Sequence, residues 1–296
     1  MTTRMHADEF DTGPGLVRKL IDDQFPHWAG LAITPVRSAG TDNAMYRLGE
    51  ELVVRLPRIP GAVPDVAKEQ HWLPLLAPHL PLTVPAPVAH GAPAPDFPHP
   101  WSVQHWLPGT SLIDHPVADL AAVARDLGAF VAALRSVPLP GGPAGYRAGP
   151  LGTHDEAVRA AIRSPDGPPD PDADPAAVLA VWEQALAAPA WPGPPVWTHG
   201  DLLPGNLLAR QGRLTAVIDF GCGGVGDPAC DLLPAWAVLD AGTRPLFREA
   251  AAPDRATWLR ARGWALAFAL PARDHYRTTN PTLAAIARRT VRELFT

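Results

Sequence analysis

Residues 198–208 read THGDLLPGNLL, and residues 216–221 read AVIDFG. Together they put Asp201, Asn206 and Asp219 on two turns joined by a hairpin-like apolar run. Phosphoryl transfer from a nucleotide needs such a set. One carboxylate must hold the acceptor hydroxyl, and an amide with a second carboxylate must hold magnesium on the phosphates. A lone HGD tripeptide carries little information. The ordered series of Asp, a short step to Asn, an apolar strand and then Asp-Phe-Gly carries far more, because each member has its own chemical duty.

HGDLLPGNLL and VIDFG resemble the catalytic and metal-binding motifs of the aminoglycoside phosphotransferase family, whose relatives include the protein kinases. HGD stands where protein kinases carry HRD, and IDFG where they carry DFG. GDPACDLL at 226–233 is similar to the same family. The motif-bearing likeness covers 198–233, and a weaker one in order and spacing runs from about residue 31 onward. The resemblance implies an α+β, bilobal, protein-kinase-like fold. A small, mainly antiparallel-sheet N-lobe is expected over 1–107 and a larger helical C-lobe over 108–296. It also implies that the γ-phosphate of ATP or GTP moves, with Mg2+, to a hydroxyl of a small molecule. An aminoglycoside-type or other hydroxylated antibiotic is the leading acceptor. A kinase of a metabolite alcohol or amino sugar is the alternative, and a nucleotide-binding protein without transferase activity is the second alternative.

Within that frame Asp201 orients the acceptor hydroxyl and takes its proton late. Asn206 and Asp219 are the expected metal ligands, since magnesium prefers hard oxygen donors. His199 is read as holding the loop by hydrogen bonds rather than as the base, and Phe220 as core. Gly200 replaces the kinase arginine, so control through a phosphorylated loop is not expected. The resemblance puts a lysine on the third strand, against the α- and β-phosphates. This chain has Arg55 there, in VVRLP. Arginine keeps the charge and can fork onto phosphate; the opposing reading is a surface strand residue and an impaired site. Glu69 is the expected partner of Arg55, with a solvated helix face as the alternative.

SAGTDNAMYRL at 38–48 resembles a shortened glycine-rich loop, in which Ser38, Gly40 and Thr41 would bring backbone N–H groups to the phosphates. Gln104, His105 and Trp106 fall where the lobes join, beside the nucleotide base. Trp106 reads equally as packing or stacking. Asp155 and Glu156, and Asp274 further on, are candidates for a cationic substrate, although a favourable helix dipole explains Asp155 and Glu156 equally well. Asp227 and Asp231 are expected to be caps and buried hydrogen-bond acceptors.

Composition sets the bounds. The 296 residues are 47% hydrophobic, enough for two lobes around a cleft. A net charge of −5 argues against a nucleic-acid partner. The two cysteines, Cys222 and Cys230, cannot complete a zinc cage and read as reduced core thiols. The polar, acidic start MTTRMHADEFDTG does not read as a signal peptide, and no apolar run is long enough for a bilayer. A cytoplasmic monomer or dimer without membrane contact is expected.

Periodicity predicts a helix over 14–25, strands over 31–37, 44–49 and 51–58, and a helix over 64–77 that Pro74 bends or ends. Strands over 83–91 and 101–109 follow. Helices are expected over 114–137, 175–187, 253–270 and 281–295, with Asp174-Pro175 and Asn280-Pro281 as start signals. The acidic, proline-rich stretch 164–175 reads as a linker or a lid.

Overall fold

The computed structural model describes residues 9–36, 42–147, 149–164 and 174–296. Helix α1 (Pro14–Gln24) leads into strands β1 (Ile33–Pro35), β2 (Asn43–Leu48) and β3 (Leu52–Pro57). Helix α2 (Val63–Leu76) separates these from β4 (Pro87–Gly91) and β5 (Trp101–His105). The five strands make one antiparallel sheet in the order β1-β2-β3-β5-β4.

Strand periodicity gives this sheet two different faces. Tyr46, Leu48, Val54, Leu56 and Val103 pack with Val17, Leu20 and Ile21 of α1. The alternate residues Met45, Val53, Arg55 and Gln104 line a cleft on the opposite side. The 83–91 and 101–109 strands are shorter than expected. Thr83 instead makes a single parallel bridge to Ala216. Beyond His105 the chain leaves the sheet, with the Trp106 N–H donating to the Glu51 carbonyl at 2.7 Å. Pro74 does not end α2. It sits in the last turn, where it forgoes a single backbone bond, to the Gln70 carbonyl, and the helix passes into a tight turn at Ala77–His79.

The helical part begins after β6 (Thr110–Ser111) with α3 (Leu120–Arg135), α4 (Asp155–Ile162) and α5 (Pro175–Ala187). Strands β7 (Val196–Thr198), β8 (Leu207–Arg210), β9 (Arg213–Val217) and β10 (Gly224–Gly226) come next. Helices α6 (Pro234–Ala237), α7 (Arg244–Ala251), α8 (Arg255–His275) and α9 (Pro281–Glu293) complete the chain. Helix α3 starts at Leu120 rather than at 114, because the Asp119 side chain accepts from the Ala122 N–H at 2.9 Å and fixes the start there. Asp174 and Asn280 cap α5 and α9 through the N–H groups of Ala176 and Leu283.

Helix α8 is the spine of this part, buried along most of its length and packed against α4, α5 and α9. Leu127 and Phe130 of α3, Trp182 of α5 and Leu266 of α8 are fully enclosed in the same core. An antiparallel-sheet region followed by a helical part is the architecture the motifs imply. No helix among the described residues is long and apolar enough to cross a membrane.

Candidate active site

The site is built on two small strand pairs. β7 pairs with β10, and β8 with β9, so the loop after β7 and the turn after β9 emerge side by side. The β8–β9 hairpin turns at Gln211 (φ 53°) and Gly212 (φ 79°), the left-handed pair that a tight two-residue hairpin requires. The Ile218 N–H donates to the Asn206 carbonyl at 2.9 Å and ties the two turns together.

Asn206 Nδ2 donates to the Asp201 carboxylate at 2.9 Å and to the Asp201 carbonyl at 2.8 Å. Asp219 lies across from them in a left-handed backbone conformation, φ 66°. A non-glycine residue holds this conformation only under constraint, and such residues cluster at functional sites. Its side chain is 35% exposed, toward the cleft. Burial among protein groups pushes its carboxyl up to about 6, with Arg55 pulling the other way.

Arg55 is buried, not a surface residue. It forms an ion pair with the buried Glu69 of α2 and reaches Asp219 Oδ1 at 3.3 Å. Gln104 Nε2 donates to Glu69 at 3.3 Å, so Gln104 serves this network as well as the cleft wall. The structure thus brings Arg55, Glu69, Gln104 and Asp219 together, with Asp201 and Asn206 at the adjoining turn. The cleft has a volume of about 560 Å³ and is lined by Arg55, Gln104, His105, Trp106, Asn206 and Asp219 among others. The Arg47 guanidinium lies 4.1 Å over the Trp106 ring.

The loop is held from behind. Asp231 accepts from the N–H groups of His199 (2.8 Å) and Gly200 (2.7 Å). Burial pushes its carboxyl up to about 6. The His199 Nδ1 accepts from the Asp201 N–H at 3.1 Å, which leaves Nε2 to donate to the Ile218 carbonyl at 3.0 Å. Burial pushes this imidazole down to about 4, so it stays neutral and structural. Asp227 caps the turn at Ala229 and takes a fork from the buried Arg260 at 2.6 and 3.0 Å.

Some expected residues do not reach the cleft. Asp155 accepts from Trp182 Nε1 and Arg159, both at 2.7 Å, which matches its reading as a first-turn acid. Glu156 is exposed on the same turn. Asp274 is forked by Arg273 at 2.7 Å. None of the three lines the cleft; Asp201 and Glu69 do not line it either, but each is bonded to a residue that does, Asp201 to Asn206 and Glu69 to Arg55. Ser38, Gly40 and Thr41 lie outside the described residues, as do 165–173 of the acidic stretch.

Other groups at the site carry no sequence signal. Lys68 donates to the Gly221 carbonyl and pairs with Asp65 at 2.7 Å, so α2 grips the turn that follows Asp219. Arg147 forms an ion pair with Asp201. Residues 279–282, at the α8–α9 turn, close one side of the cleft.

The oxygen donors suit magnesium. Asn206 donates through Nδ2 and keeps its side-chain oxygen as an acceptor, and Asp219 adds a carboxylate. No group of three His, Cys, Asp or Glu side chains fit for a metal occurs among the described residues. A two-ligand protein contribution fits an ion that keeps water and phosphate oxygens in its shell.

Residues 33–267 match the model of the phosphotransferase enzyme family APH, and the chain belongs to that family. The fold is similar to the GDP and kanamycin complex of APH(2")-IIia, with a TM-score of 0.72 at 20% identity over 95% of this chain and 98% of the other. It is similar to the macrolide 2'-phosphotransferase MphH from Brachybacterium faecium, with a TM-score of 0.60 at 26% identity over 91% and 98%. The ADP-bound aminoglycoside phosphotransferase APH(2'')-Ib aligns with a TM-score of 0.60 at 15% identity over 94% and 99%. No curated protein matches the chain by sequence.

Proposed function

We propose that this chain transfers the γ-phosphate of ATP or GTP to a hydroxyl of a small hydroxylated antibiotic. One observation carries the reading. Arg55 of the sheet region lines one cleft with Asn206 and Asp219 of the helical part, with the buried Glu69 paired to Arg55 behind the wall and Asp201 bonded to Asn206. In this assignment Arg55 holds the nucleotide phosphates, Glu69 and Gln104 fix Arg55, and Asn206 and Asp219 hold magnesium. Magnesium, when bound, neutralises charge on the β- and γ-phosphate oxygens. Asp201 receives the acceptor hydroxyl and takes its proton as the phosphoryl group departs. The nucleotide base lies along Gln104, His105 and Trp106.

The burial and pairing of Arg55 speak against a relic site, in which that residue would be free at the surface. Aminoglycosides and macrolides lead the acceptor list, because similar structures carry those names. The test is a screen of purified protein against both antibiotic classes and metabolic alcohols, reading nucleoside diphosphate release and product mass. Asp201→Asn should cut turnover on any accepted compound by about two to four orders of magnitude, with nucleotide binding retained. Turnover equal to wild type removes Asp201 from the mechanism.

A further inference from the structure

Asp201 is held by a cation that the motif does not supply. Arg147 comes from the Pro/Gly-rich segment before α4, more than fifty residues upstream of Asp201. Its NH1 group pairs with Asp201 Oδ1 and also donates to the Gly200 carbonyl at 2.7 Å. The guanidinium lies 5.8 Å from the ring centres of both Tyr146 and Phe268. Coulombic attraction to Asp201 favours its charged form. The Arg147 side chain is half-buried, so the desolvation that disfavours its charge is offset by a partner, and here the partner is the candidate base itself.

The contacts divide cleanly. Asn206 Nδ2 takes Asp201 Oδ2, and Arg147 takes Oδ1. The carboxylate is thereby fixed in rotation by one donor on each oxygen. Behind it, Asp231 holds the N–H groups of His199 and Gly200, while Arg147 holds the Gly200 carbonyl. The loop is gripped on its donors from one side and on its acceptors from the other.

We infer that Arg147 is a positioning residue for the transfer, acting through Asp201. It fixes the carboxylate so that the incoming hydroxyl meets a lone pair already aimed at the phosphoryl group. This rests on the reading of Asp201 given above. Misplacement of a reacting group by about 1 Å costs on the order of a hundredfold in rate.

The test is a mutant cycle on transfer, with the wild type, Arg147→Ala, Arg147→Lys, Asp201→Asn and the double variant Asp201→Asn/Arg147→Ala. Arg147→Ala should lower kcat by about ten- to a hundredfold. Its affinity for nucleotide, read with a fluorescent analogue, should stay within about twofold of wild type, because the polar partners of Arg147 are the Gly200 carbonyl and Asp201 rather than the groups assigned to phosphate and metal. Arg147→Lys should recover part of kcat, since the charge survives although the planar guanidinium is lost. In the Asp201→Asn background the same removal should cost less than about threefold, because two residues acting as a unit are not additive. Equal losses in both backgrounds, or a kcat for Arg147→Ala within about threefold of wild type, overturn the role. Where Arg147→Ala does not fold, Arg147→Lys and Arg147→Met carry the comparison, and no difference in kcat between those two overturns it. Transfer to water, read as diphosphate release without acceptor, stands in if no tested alcohol reacts. A wild type that transfers phosphate to nothing, water included, overturns the function reading as well, whereas an active wild type with additive losses overturns Arg147 alone.

Discussion

Asp231 and His199 touch, yet their titrations act on stability in opposite directions. The buried imidazole is held at about 4 in the folded chain, against 6.5 for an ordinary histidine. As pH falls from about 6.5 to 4, the unfolded chain takes a proton that the native ring refuses, so stability is lost at about 1.4 kcal/mol per pH unit. Asp231 is held at about 6, against an ordinary 3.8. Its cost is present above about 6 and relieved as pH falls toward 4, because the native carboxyl takes its proton first. Between pH 6.5 and 4.5 the two contributions should largely cancel in the wild type. Asp231→Asn removes the compensating proton and should lose about 2 kcal/mol more than wild type over that interval, read by urea unfolding. Parallel pH responses would refute the assignment. The metal pair gives a second prediction. Asp219→Asn keeps a residue that tolerates the left-handed backbone while removing its charge. Magnesium-dependent nucleotide binding should weaken strongly there and less in Asn206→Ala, a formal charge against a dipole; titrating magnesium against bound nucleotide checks the order. Asp201, Asn206 and Asp219 were legible in the sequence because their spacing is local. Arg147 was not, since an arginine in an aperiodic Pro/Gly stretch shows nothing of where the chain will fold it.

At the scale of elements, caps and glycines decide where helices start and how closely they pack. Asp174-Pro175 and Asn280-Pro281 announced α5 and α9, and both side chains cap as their chemistry requires. Helices α6 and α7 are absent from the expected elements; they are only four and eight residues long, and segments so short depend on the helices they lie against. Helix α8 runs through Pro271 to His275, five residues beyond the end expected at 270. The α3–α7 contact depends on Gly128. A Cβ built there would lie 2.6 Å from the Ala250 Cβ and 2.8 Å from the Phe247 carbonyl. Gly128→Ala gains helix propensity but must push backbone apart, so a net loss of about 1–3 kcal/mol is expected. A thermal melt at or above the wild-type midpoint would show that α7 can move away freely.

The whole molecule is organised by a few contacts across the cleft. The Arg55–Asp219 pair, the Lys68 bond to Gly221 and the Thr83 bridge to Ala216 join the sheet region to the helical part. Arg55→Ala should strip a buried carboxylate of its cation, cost about 3 kcal/mol in stability and weaken nucleotide binding. Glu69→Ala should be milder, and the double variant should cost less than the sum of the two. Strictly additive losses in unfolding and nucleotide titration would show that the two side chains are energetically independent. This long-range closure was only half legible: strand order brings Arg55 and Gln104 to one face, but nothing local reveals that Lys68 and the 279–282 turn reach the same cleft. Gly200, finally, has an evolutionary consequence. Its backbone is left-handed, φ 76°, and a Cβ there would stand 2.9 Å from the Cys222 carbonyl. Protein kinases couple activity to signalling through an arginine at this point of the loop. A glycine-to-arginine change would strain the backbone and also require the Cys222 carbonyl to shift, so that mode of control lies more than one substitution away from this chain.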